Sequence, residues 1–377
     1  MKVSQSLLSP SDTFQWRELT SGLAPNDAEL VFTFGLRSEL ERPEIFDAIR
    51  QRYPAAHIAL ASTAGNMADQ LIDDDHIVCS AVSFERSQLK CAAHTLKPDS
   101  DLSEACKTLA GELSDADLRH VFILCDGGTV NGTTLSVAMN RHLPEGVTIS
   151  GGMAGDGTDF TKTVVGLDAV PQPNTIVAVG VYGASLEIGF GCSGGWSTFG
   201  SERKVTRSEG NVLYELDDKP ALELYKKYLG DQAEQLPASA LRFPLFVNPK
   251  DEQPPFVRTI LSINEEEGSM TFAGDIAHDA TVHFMRASYE DLIDGAQAAA
   301  TQAQDTAASL VLCVSCIGRR IILGQRTEEE IECVRNTFGS TPVIAGFYSY
   351  GELAPTGEEK NCQLHNQTMT VTSIHEL

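Results

Sequence analysis

The sequence is short of basic residues, has only two tryptophans, and lacks any apolar run long enough to span a membrane. Its 28 Lys and Arg face 52 Asp and Glu, a net charge of −24 over 377 residues. Such a surface repels phosphate backbones and anionic lipid head groups, which excludes nucleic-acid and membrane-surface roles. The stretch Met1 to Pro10 has one lysine, and serines interrupt its leucines, so it does not read as a signal peptide and a cytoplasmic location is expected. Nine cysteines are scattered, mostly inside apolar strands (Cys79, Cys125, Cys313, Cys316). An odd count in a large chain implies reduced thiols rather than a disulfide framework. Also missing, in any supporting context, are a Ser-His-Asp order, a carboxylate pair and an H-E-x-x-H helix. Without an activated nucleophile, a binding protein is expected rather than an enzyme.

What is present is a design used three times. Leu30-Val-Phe-Thr-Phe34 reads as a strand, Pro43 to Arg52 as a helix, and His57 to Ala61 as a second strand ending in Ser62-Thr-Ala-Gly-Asn66. The second copy runs from His120–Cys125, through a helix capped by Asn131, to Val147–Ser150 and the turn Gly151–Gly157. The third has a strand Ser309–Cys316, a helix Thr327–Phe338 and a strand Val343–Gly346, then Gly346-Phe-Tyr-Ser-Tyr-Gly-Glu-Leu-Ala-Pro355 and a strand Gln367–Ile374. The copies are each about 35 residues from first strand to glycine turn, a period that marks a repeated supersecondary unit. A strand, a short helix and a strand imply a parallel right-handed crossover, and the returning strand makes the sheets mixed. The expected fold class is α/β with some α+β character. Two domains with mixed sheets flanked by helices share a cleft, and the turn-rich stretch Gly210 to Pro220 separates them.

Several motifs invite chemistry. Gly189-Phe-Gly-Cys-Ser-Gly194 fits both a dinucleotide loop and, shifted, a nucleophile elbow, but no helix follows, so the glycines serve a bend. Asp275, His278, Asp279 and His283 lack a standard metal-ligand spacing and read as a solvated turn. In Cys313-Val-Ser-Cys316 the two thiols point to opposite faces of a strand. Cys313 reads as core, whereas Cys316, beside Arg319 and Arg320, could have thiolate character and act as a nucleophile. The third turn carries Tyr348, Tyr350 and Glu352, followed by His365 and Asn366, all polar among residues that read as buried strand. Polar groups at strand ends of open α/β sheets line the crevice. The alternative is a hydrogen-bonded network that pins a loop. On the first reading Arg319 neutralises an anion, the tyrosines and Glu352 orient the ligand, and Cys316, His365 and Asn366 complete the wall. Alanine at Arg319 or His365 would then weaken binding and spare the melting temperature.

Taken in order, these segments resemble the FIST sensory proteins. The match rests on Ala61-Ser-Thr-Ala-Gly65, Gly151-Gly-Met-Ala-Gly-Asp156, Gly194-Gly-Trp196 with Val205-Thr-Arg207, and Leu216-Asp217 with Pro220-Ala221. It continues through Gly268–Asp275, Cys316-Ile-Gly-Arg319, Leu323-Gly324, Gly346–Glu352 and His365-Asn366. The resemblance implies an N-terminal extension over 1–29, a FIST-N domain over 30–210 and a FIST-C domain over 211–377. It implies a cytoplasmic sensory module in signal transduction that binds a small molecule such as an amino acid. Within the family, similar stand-alone proteins bind haem, sense nitric oxide and regulate a partner histidine kinase, so haem is an expected possible cofactor and such a kinase a possible partner. One departure is Ser62-Thr-Ala-Gly-Asn66, where many relatives carry glutamate.

Overall fold

The computed structural model describes residues 1–11, 13–250, 254–305, 307–357 and 360–377. Three six-stranded mixed sheets carry the repeated units, and each is built round one parallel pair. The pairs are Leu30–Gly35 with His57–Ser62, Leu118–Cys125 with Thr148–Met153, and Leu310–Cys316 with Val343–Ser349. Every other strand pairing among the described residues is antiparallel.

Side-chain alternation explains the layering. Phe32, Phe34, Phe122, Leu124, Leu312, Val314 and Phe347 point inward from the three sheets into one apolar core. Phe34 meets Phe347 at 4.7 Å and Phe32 meets Phe122 at 5.3 Å between ring centroids, distances at which aromatic pairs attract beyond their area burial. The intervening residues point outward and are covered by helices. Pro43–Arg52 lies on the first sheet, Leu102–Leu113 and Gly132–His142 on the second, and Tyr289–Gln302 and Glu328–Phe338 on the third. Pro43 stands where a helix needs no N–H, and Ile45 and Ile49, one turn apart, are buried. Asn131 accepts a hydrogen bond from Thr134 N (2.9 Å) and so starts the second helix where the sequence places it. Both faces of every central strand are therefore buried, which is why these strands read as continuous apolar runs.

The outer strands are exchanged in a ring. After the first glycine turn, Asn66–Ala68 and Leu71–Asp73 leave their own sheet and join the third. After the second turn, Val165–Leu167 joins the first sheet. After the third, Gly351–Thr356 and Asn361–His365 join the second. Residues 1–29, set apart by the sequence as an extension, instead supply Lys2–Leu8 and Trp16–Ser21 to the first sheet, with Leu7 and Leu8 fully buried. Their alternation is masked by serines and a glutamine that hydrogen-bond within the core, as Gln5 does to Ser80 and to Ile344 O.

Between the second and third units a separate layer is inserted, with an eight-stranded sheet, the helix Ala221–Leu229 and its own apolar core. The strand Ser197–Glu209 carries the chain into it and Thr281–Arg286 carries it out, the two paired antiparallel across a register shift at Phe199/Arg203. The stretch Gly189–Gly194 lies on the strand Leu186–Ser193 and its end, as the missing helix required. No helix among the described residues is long and apolar enough to cross a membrane.

Candidate functional site

The three glycine turns meet at one end of the parallel pairs and bond to one another. Gly155 N donates to Ser62 O (2.9 Å), Ala64 N to Tyr348 O (2.8 Å), Tyr348 N to Gly65 O (2.8 Å), and Tyr350 N to Met153 O (3.2 Å). Gly155 is required here: a Cβ on it would stand 2.8 Å from Ala64 N, closer than a side-chain carbon can sit against backbone.

The polar residues chosen from the sequence divide at this ring. Arg319 is fully buried and its guanidinium is spoken for: Nε donates to Glu330 Oε1 (2.7 Å), Nη1 to Gly194 O (2.6 Å) and Nη2 to Leu292 O (2.6 Å). Tyr348 is equally buried, and its hydroxyl donates to Glu330 Oε2 (2.9 Å), which also accepts from Ser315 Oγ (3.2 Å). Arg319 therefore neutralises Glu330 and is not presented to a ligand. Sequence reasoning passed over Glu330 because it stands in the acidic run Glu328-Glu-Glu-Ile-Glu332. The buried face of that helix, Glu330, Ile331, Val334 and Phe338, has helical spacing that includes it.

Glu352 is also inside, accepting from Ser349 Oγ (2.7 Å), Thr368 N (3.2 Å) and Thr368 Oγ1 (3.0 Å). Burial pushes its carboxyl up to about 8, against the pull of those hydrogen bonds. Burial, helped by the Arg258 charge, holds His365 down to about 4, and its Nε2 has no hydrogen-bond partner among the described residues. Asn366 is fully buried and its amide donates to His365 O (2.9 Å). Cys316 is 3% exposed, and burial followed by the Glu352 charge raises its thiol well above the usual range. The sequence expectation of thiolate character is thus reversed, because the Arg319 charge is already matched by Glu330 and desolvation dominates.

Two of the chosen residues reach a cavity. Cys316 and Tyr350 line a cleft of about 810 Å³ between the three-sheet body and the inserted layer. The body contributes the loop Gly127–Gly132, Met153, Phe160–Thr163 and Cys316–Gly318. The inserted layer contributes Leu236–Ala238, Leu241, Thr259–Leu261 and Phe272–Gly274. The Tyr350 ring stacks on Phe160 at 4.8 Å, and its hydroxyl donates to Asp156 while accepting from Asp156 N (3.1 Å) and Phe160 N (3.2 Å). Thr259 is 4% exposed, and its hydroxyl has no partner among the described residues. Behind Gly318 lies Gln367, whose Nε2 donates to Leu241 O (3.1 Å) and ties the third unit to the inserted layer. Phe160 and Leu261, each about half exposed, form apolar lips on the two sides.

The volume and lining suit a small molecule that is mostly apolar with a polar end, since such sites run to about 300–1,000 Å³. The inserted-layer wall, Thr259 above all, was not found from sequence; the layer reads there only as anonymous strands. Among the described residues no group of three His, Cys, Asp or Glu side chains is placed to hold a metal ion.

Comparison with known proteins adds the following. The family model described as the FIST N domain matches residues 29–219, and that of the FIST C domain matches residues 221–355. An uncharacterised protein of Methanocaldococcus jannaschii, MJ1623, is 22% identical over 331 residues, covering 82% of this chain. This chain spans 64% of that relative's length. Among solved structures, a cyanuric acid hydrolase from A. caulinodans aligns over 100% of this chain and 98% of its own at 10% identity. Its TM-score is 0.36, and the likeness carries no argument about chemistry.

Proposed function

The chain belongs to the FIST family of sensory domains in signal transduction, and on that premise we propose that it is a small-molecule sensor whose ligand occupies the cleft between the three-sheet body and the inserted layer. The observation that carries this reading is the origin of the walls. They come from two parts with separate apolar cores, so a ligand touching both changes how firmly the parts are held together. Thr259 and the apolar lips Phe160 and Leu261 supply one polar contact and a hydrophobic cover. A partner protein, such as the histidine kinase implied by the family resemblance, would then read the placement of the inserted layer.

Catalysis is not part of this reading, since the thiol in the cleft is held protonated. Haem needs an axial histidine, tyrosine or cysteine. The described lining includes no histidine, Cys316 resists forming a thiolate, and the Tyr350 hydroxyl is engaged with Asp156. These donors do not fit an axial ligand, and a Soret band after reconstitution with haem would reverse that judgement.

The test is a thermal-shift screen of a metabolite library against wild type and Ala273→Trp, a variant that fills the cleft from the inserted layer. At least one compound should raise the melting temperature of wild type and fail to raise that of the variant. If every stabilising compound acts equally on both, the cleft is not the sensing site.

A further inference from the structure

The second large cavity lies across the same junction. It is a groove of about 1070 Å³ between the helix Gly132–His142, the paired strands Gly351–Thr356 and Asn361–His365, and the inserted layer. Adjacent residues divide between the two cavities: Gly132 and Thr133, Thr259 and Arg258, Gly274 and Asp275. We propose that this groove is a second binding site, for the carboxylate or phosphate group of a small molecule, with Arg258 as the residue that receives the anion.

Arg258 is 2% exposed yet lines the groove. It is built differently from Arg319. Its hydrogen bonds go to neutral oxygens: Nε to Asp275 O (3.2 Å), Nη1 to Leu364 O (2.9 Å) and Val257 O (3.3 Å), and Nη2 to Thr133 Oγ1 at a long 3.5 Å. Among the described residues no carboxylate oxygen lies within ion-pair distance of it. Among the described residues the acidic group that bears on it is Asp275, which favours the charge from a distance but turns one oxygen to Asn131 Nδ2 (3.2 Å). The guanidinium is stacked on Phe256, 3.9 Å from the ring centroid, which fixes its plane.

A buried cation is costly unless it is paired. The burden is visible in two places. Burial draws Arg258 down to about 9, and the neighbouring His365 stays neutral with an unpartnered Nε2. An anion on the Nη2 edge would supply the missing charge, and the planar fork suits the two oxygens of a carboxylate or phosphate. Thr133, on the first turn of the capped helix, offers a hydroxyl beside that edge, Ser136 lines the same groove one turn on with its hydroxyl donating to Thr133 O (2.9 Å), and the exposed Val137 offers apolar cover to the rest of the ligand. On a chain of net charge −24, anions are not gathered by the surface at large, so such binding requires a specific site.

The probes are sodium phosphate and sodium acetate, titrated into the full chain at ionic strength held constant with chloride, with melting temperature as the readout. Wild type should rise by roughly 2 °C at tenfold saturation with at least one of them, and which probe acts identifies the group. Arg258→Met should fold and lose that rise. Asp275→Asn removes a carboxylate that lines the groove and competes with the anion, and should lower the anion concentration needed at least threefold; it also serves if Arg258→Met does not fold. No rise in wild type, a rise retained in Arg258→Met, or an unchanged or weaker response in Asp275→Asn would overturn the proposal.

Discussion

Glu352 and His365 face each other across a strand pair and titrate in opposite senses. Folded, Glu352 keeps its proton up to about pH 8, whereas an unfolded glutamate loses it near ~4.3. Its contribution to stability is therefore complete below that lower value and is lost as pH rises through 8. Folded, His365 gains a proton only at about 4, whereas unfolded it does so near ~6.5. Its contribution is complete above the unfolded value and is lost as pH falls through 4. Above about pH 6.5 the His365 contribution is complete, so urea midpoints measured from pH 6.5 to 8 should fall with pH in wild type and fall less in Glu352→Gln. Equal slopes would mean that Glu352 is ionised in the folded protein. The sequence showed both residues as polar intruders in a strand, and that much was legible. Their protonation was not, because it depends on burial set by elements far along the chain.

At the scale of elements, Arg319 joins more pieces than any other residue selected from the sequence. From the helix Ile317–Leu323 it bonds the helix Glu328–Phe338, the first turn of the helix Tyr289–Gln302 at Leu292 O, and the turn at Gly194. Removing it leaves Glu330 buried without its cation. Arg319→Ala is expected to cost ~3–5 kcal/mol, read from chemical denaturation, with no protection from added ligand beyond that of wild type. A loss below about 1 kcal/mol would return Arg319 to the list of ligand-binding residues. Most elements themselves were legible. Short continuous apolar runs gave the strands around Phe32, Phe122 and Leu312, Asn131 gave a helix start, and Pro43 gave another. The partners of the strands were not. Asn66–Ala68 reads as the end of a turn and the residues after it, and Gly351–Thr356 as the close of the third unit's polar segment; nothing in a local pattern says that they are strands that cross to another sheet. The same limit hid the site. Tyr350 and Cys316 could be picked out as unusual residues, but the cleft exists only because a separately packed layer brings Thr259 and Leu261 opposite them.

For the whole molecule, the two halves matched by family are not independent bodies. The third sheet contains Asn66–Ala68, Leu71–Asp73 and Leu186–Ser193 from the N-terminal half, and the second contains Gly351–Thr356 and Asn361–His365 from the C-terminal half. A fragment of residues 221–377 would leave Val343–Ser349 and Met369–Glu376 as bare, apolar edges, a known route to aggregation. Expressed alone it should be insoluble or lack a cooperative melt, and co-expression with residues 1–220 should recover a soluble pair. A monomeric fragment with a sharp melting transition would show that the exchanged strands are dispensable.

The ring of exchanged strands also imposes an order on synthesis. The hairpin Asn66–Asp73 leaves the ribosome early, but the strand it must pair with, Val343–Ser349, is made long afterwards. Through most of translation the hairpin is an unsatisfied edge. The first sheet closes once residues 165–167 arrive, the second only when residues 361–365 do, and the hairpin made first is among the last to be placed. One early segment of this chain therefore waits for its sheet partner for nearly the whole time it takes to make the chain.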